Sequence, residues 1–134
     1  MITIKRALHS FTCAACFFLV SSVHAAGDGK PDFAKGDAIP AGAPHDWNLG
    51  PTGLRGWMIC DTLVTTDARQ IAITTVDKGS PADGVIAVGD VLLGVGGKPF
   101  AHDPRTEMGR AITSAETEEL GGRLVLTRWR AGKT

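Results

Sequence analysis

Residues 76–100 read VDKGSPADGVIAVGDVLLGVGGKPF, and four local signals in this run decide the fold. Ser80-Pro81 starts a helical turn: serine caps free backbone N–H groups, and proline suits the first helical position because it has no N–H to lose. Gly84 suits the left-handed residue that closes such a turn. Gly89-Asp90 turns the chain into the apolar run Val91-Leu92-Leu93-Gly94-Val95. Gly96-Gly97 is a two-residue hairpin signal, since both positions of such a turn can need positive φ. The run predicts a strand, a short helical turn, a strand and a hairpin. It carries no catalytic group and reads as scaffold.

Working outward, residues 69–76 alternate with Ile71 and Ile73 inward and predict a strand. Before them, Pro51-Thr52-Gly53-Leu54-Arg55-Gly56 is a glycine-rich loop, and Trp57-Met58-Ile59-Cys60 a strand. After them, Asp103-Pro104 caps and opens the one clear helix, with Met108, Ala111, Ile112 and Ala115 on its core stripe. Gly109 inside that helix costs about 1 kcal/mol against alanine, which points to a close approach there. Glu116, Glu118 and Glu119 oppose the helix dipole at its C-terminal end, and Gly121-Gly122 stops it. Residues 123–130 form the last strand, with Trp129 facing either side. Residues 131–134 look like the turn into a further strand that the sequence does not contain.

At 134 residues, 43% hydrophobic and 21% charged, the chain suits one domain with a modest core. A formal net charge of +0 argues against non-specific nucleic-acid binding. Lys5-Arg6, the apolar stretch 7–23 and Val23-His24-Ala25 read as a secretory signal peptide over 1–25, against an uncleaved membrane anchor, for which the apolar core is short. Cleavage leaves a mildly acidic, exported chain, periplasmic or extracellular, with no stable membrane anchor. Cys60 is then its single cysteine, so no internal disulfide forms. Residues 26–46, rich in Gly, Asp, Ala and Pro, read as a flexible lead, and Trp47 and Leu49 as the first large side chains able to dock. The domain occupies 47–134.

Catalytic readings are weak. Ser80 is absorbed by capping, and Ser114 has no evident base. His45 and His102 read as loop residues rather than metal ligands, and Cys60 as a buried thiol. No cofactor is implied. The basic residues Arg123, Arg128, Arg130 and Lys133 read as a solvated strand face and turn.

Gly79-Ser80-Pro81-Ala82, Gly84, Gly89-Asp90-Val91-Leu92 and Gly96-Gly97-Lys98-Pro99, in this order, resemble a PDZ domain of the exported type found in bacterial periplasmic serine proteases and carboxy-terminal processing proteases. Asp46-Trp47-Asn48-Leu49-Gly50-Pro51-Thr52-Gly53 and Arg128-Trp129-Arg130-Ala131-Gly132-Lys133 also look like the amino-terminal PDZ portion of large exported bacterial proteins. The resemblance implies a mainly β fold with α: a small antiparallel barrel or sandwich of five to six strands, closed by one long helix and one short helical turn. It would lack its last strand.

The resemblance also implies a peptide or protein C-terminus as partner, bound by strand addition. The matching loop is Gly53-Leu54-Arg55-Gly56-Trp57, whose converging backbone amides would hold a terminal carboxylate. The groove would run between Trp57-Met58-Ile59 and a helix wall of Arg105, Gly109 and Ile112. A bulky residue at Gly56 would then block ligands without unfolding the domain. The expected function is a non-catalytic, exported peptide-binding module within a larger protein. The alternatives are an accessory fragment of an exported protease or hydrolase, and a scaffold whose groove is filled by its own chain.

Overall fold

The structure, a computed structural model, describes residues 30–43, 46–60, 64–66 and 68–134. The expected signal peptide, the start of the lead and His45 lie outside the described residues. The chain forms β1 (Trp47–Asn48), β2 (Leu54–Trp57), β3 (Ile71–Val76), β4 (Val91–Val95), β5 (Lys98–Pro99), α1 (Pro104–Ala115) and β6 (Leu126–Trp129). All six strands join one antiparallel sheet. β6 runs along the whole of β4, while β3 and β5 pair with its two ends.

The mainly β fold with one helix is as expected, but the barrel or sandwich is not: the sheet stays open. Closure needs strands long enough to tilt and stagger across the gap, and β1 and β5 have two residues each. β2 also lies earlier than the glycines suggest, and of the strand expected over Trp57-Met58-Ile59-Cys60 only Trp57 belongs to it. It covers Leu54–Trp57, so Arg55 and Gly56 are strand residues paired with Thr75 and Ile73.

Alternation sorts the side chains onto two faces. Leu54, Met58, Ile71, Ile73 and Leu92 point inward and meet Met108 from α1, with Ala82, Ile86 and Phe100 completing this core. Trp57, Ala72 and Val91 point outward, and Trp129 packs with them. This second face is covered by the segment expected to be a flexible lead. Phe33, in the 3-10 turn Phe33–Lys35, is 5% exposed and sits edge-on to Trp57 with ring centroids 5.7 Å apart. Gln70 anchors it, accepting from Phe33 N–H and donating to Asp32 Oδ1, each at 2.8 Å. The first docking side chain is thus Phe33 rather than Trp47. A single aromatic in a polar run has no periodicity to announce it.

α1 starts as its Asp-Pro signal predicts. Asp103 accepts from Arg105 N–H at 3.0 Å, and its other bonds come from the Thr65 and Thr106 hydroxyls. Burial pushes the Asp103 carboxyl up, but these three donors outweigh it and hold it below its usual value. The helix ends at Ala115, before the glutamates and glycines, and Gly122 N–H closes back onto Ala115 O at 2.7 Å.

Within the deciding run, Gly96 and Gly97 both take positive φ, as the hairpin requires. Ser80 behaves otherwise than expected. Its Oγ is buried without a hydrogen-bond partner. The turn is held instead by Asp83, which accepts from Gly79 N–H, and by a helical bond from Ile86 N–H to Ala82 O.

Candidate functional site

The site expected between β2 and α1 can be followed residue by residue. Gly53 follows the 3-10 turn Gly50–Thr52, in a left-handed conformation with φ 75°. Its N–H donates to Gly50 O at 3.3 Å, and Leu54 N–H donates to the Thr52 hydroxyl at 3.2 Å. Two of the amides expected to converge on a terminal carboxylate are therefore bonded inside their own turn. Leu54 and Met58 are buried in the core, while Trp57 packs on Phe33 and Ile59 belongs to the same outer cluster. Residues 57–59 thus do not form one groove wall, because Met58 turns into the core while Trp57 and Ile59 join the outer cluster.

The edge of β2 that would receive a peptide carries β1. Trp47 pairs antiparallel with Gly56, and Asn48 with Arg55. Gly56 is the one residue type that fits here: a Cβ would lie 2.3 Å from Ile71 Cγ2, and Ile71 is fully buried. A bulky side chain at Gly56 therefore disturbs the core itself, which corrects the expectation that it would block ligands without unfolding the domain.

Arg105 from α1 lies over the Trp47 ring, its guanidinium carbon 3.9 Å from the centroid. Gly50 comes close to Ile112 on the same helix: a Cβ there would be 3.6 Å from Ile112 Cδ1. A shallow cavity of about 180 Å³ beside this contact is lined by Pro51, Thr52, Pro81, Ile112, Ala115 and Leu124. Arg105 and Ile112 thus do face the β1–β2 unit. Gly109 does not need its hydrogen, since a Cβ there meets nothing within 4 Å. The close approach inferred from it is absent. Gly109→Ala should stabilise the domain by about 1 kcal/mol, read as a higher urea midpoint at unchanged slope.

Asp46, just before β1, completes the arrangement. Its Oδ1 accepts from Arg55 Nε at 2.8 Å and lies 2.7 Å from the second guanidinium nitrogen, while Oδ2 accepts from the Thr74 hydroxyl at 2.5 Å. The Arg55 hydrogen bonds, then Thr74, hold the Asp46 carboxyl below the ordinary aspartate range. Arg55 thus holds a carboxylate from its own chain. Asp46, Trp47 and Thr74 were not among the expected site residues.

A second concave surface, about 460 Å³, lies between the 81–86 turns and β6, lined by Leu54, Ala82, Val85, Ile86, Leu126 and Arg128. Arg128 and Arg130 are not simply a solvated face: both approach the buried Asp90. Cys60 is half-buried rather than buried. Among the described residues no three His, Cys, Asp or Glu side chains gather as metal ligands, and no helix is long and apolar enough to cross a membrane.

No family model, curated protein or solved structure matches the chain.

Proposed function

We propose that this chain is an exported, non-catalytic peptide-binding module of PDZ-like kind. It captures extended segments by adding them to the edge of β2 that β1 covers, and its own residues 46–48 occupy that place in the absence of a ligand. One observation carries the reading: β1 lies antiparallel on β2 with its Trp47 ring beneath Arg105 of α1. That is the geometry of strand addition, in which backbone bonds hold the segment and a side-chain pocket against the helix selects it. The Lys5-Arg6 start and the apolar 7–23 stretch support export.

The pairing of Gly53 and Leu54 amides within their turn supports recognition of internal segments over free C-termini. The full chain titrated with a library of extended peptides, free or amidated at the C-terminus, tests this by fluorescence anisotropy. Ligands should emerge, and amidation should change their affinity less than about twofold, a difference below ~0.5 kcal/mol. A scaffold with no peptide ligand is the second reading, supported by the same filled edge. It prevails if no peptide binds even when Asp46→Ala and Trp47→Ala together release β1.

A further inference from the structure

We infer that the segment captured at β2 is an internal peptide carrying an acidic residue followed directly by an aromatic one. This rests on the strand-addition reading above and names the ligand chemistry of that site.

The chain's own occupant defines two receptors on opposite faces of one strand. On the outward face, the Arg55 guanidinium and the Thr74 hydroxyl hold both oxygens of one carboxylate. Arg55 stands on β2 and Thr74 on β3, so the receptor belongs to the sheet and persists when β1 leaves. On the inward face, the Trp47 ring stands opposite Gly56 and packs against the core, where Ile71 Cγ2 fills the place that a Gly56 Cβ would take. Arg105 from α1 closes over that ring. A cation over an aromatic face favours a π-system over an aliphatic side chain of similar size.

Consecutive strand residues point to opposite faces, so an acid for the first receptor and an aromatic for the second must be adjacent in the ligand. The order is set by β1, with the acid first and antiparallel pairing to β2. Asn48 adds no selection, because its side chain is used locally to accept from Gly50 N–H. The receptors also explain why the occupant is replaceable: β1 has two residues, and its carboxylate and ring are groups that another peptide supplies equally well. Because the occupant is tethered, a free peptide competes against a high effective concentration.

The test uses the full chain carrying Asp46→Ala and Trp47→Ala, with a nine-residue peptide blocked at both ends that has Asp-Trp at its centre and Gly and Ser around it. The peptide should bind, with about tenfold weaker affinity when Asp is replaced by Asn and a loss of similar size when Trp is replaced by Ala. Adding Arg55→Gln should erase the Asp-over-Asn preference while leaving the Trp preference. Adding Arg105→Gln should do the reverse. The unmodified chain, whose fold is not in question, should rank the peptides in the same order at higher concentration, read from the amide shifts of Arg55 and Gly56. Peptides that bind without regard to Asp or Trp overturn this inference and leave strand addition standing. If no peptide of any sequence binds either form, strand addition at β2 falls with it.

Discussion

Replacing Asp90 by alanine should lower the stability of the fold by about 2 kcal/mol, the range for losing charge-assisted hydrogen bonds to a buried carboxylate. Asp90 is 1% exposed and its carboxylate is fully engaged. Arg130 Nε donates to Oδ1 at 2.6 Å, a second guanidinium nitrogen donates to Oδ2 at 2.7 Å, and Ala87 N–H donates to Oδ2 at 2.8 Å. Arg128 stands 3.8 Å away. The backbone of Asp90 also accepts from Ile73 N–H at 2.8 Å, so one residue ties β3, the start of β4 and the end of β6 together. Alanine would leave Ala87 N–H without its acceptor and two arginines beside a site with no counter-charge. Urea unfolding at neutral pH measures the loss, and a midpoint within experimental error of the unmodified chain would show that the cluster is only decorative.

The same residue gives the fold an acid limit. Burial raises the Asp90 carboxyl, but the Arg130 hydrogen bonds, the Ala87 N–H and the charges of Arg130 and Arg128 outweigh it and hold the pKa below its usual value. In the unfolded chain an aspartate titrates near ~3.9. The stability from ionised Asp90 is therefore complete above that pH and is lost as the pH falls through the lower, folded value. Asp46 and Asp103 are shifted in the same direction, so they add to the same acid-side loss. An Asp90→Asn chain should show a shallower decline of stability below about pH 4. An unchanged slope would mean that Asp90 does not titrate with unfolding.

Gly53→Ala should cost about 3 kcal/mol, combining a left-handed backbone with overpacking. At φ 75° an L side chain is already strained, and its Cβ would lie 2.1 Å from Ser80 Cβ and 2.4 Å from Ser80 Oγ. The chain cannot simply move away, because Gly53 O accepts from Asp77 N–H at 2.8 Å and Leu54 beside it is 1% exposed. The clash and the strain are separable. Adding Ser80→Gly removes the steric part, so the double variant should regain roughly half of the loss, a coupling of about 1–2 kcal/mol. Strict additivity in urea unfolding would show that Gly53 and Ser80 do not compete for space. Since Gly53 leads directly into Leu54 and Arg55, the single variant should also weaken the Arg55–Asp46 contact at the candidate site.

The comparison of Ser80 and Gly53 shows why some residues are readable and others not. Gly96-Gly97, Asp103-Pro104 and the alternation of Ile71 and Ile73 act through their own backbone neighbours, and the structure has them where local chemistry puts them. Ser80-Pro81 is an equally good local signal, yet the Ser80 side chain is directed against Gly53, a residue far away in the chain. Gly109 carries the opposite lesson: a glycine in a helix suggested a close neighbour, and none is there.

Local sequence therefore settled β3, β4 and the hairpin after them, the start of the helix and the inward faces of the central strands, because those features depend on backbone conformation and on a period of two or about three and a half residues. What the edges of the sheet carry was decided in three dimensions. Phe33 on the outer face, Trp47 under Arg105, and Asp46 between Arg55 and Thr74 each join segments that no short-range pattern links. An edge strand of two residues has too few positions to show a period, and its place depends on a charge and a ring that find partners only once β2, β3 and α1 have assembled. The run 76–100 marks the scaffold; the candidate site was made by the fold.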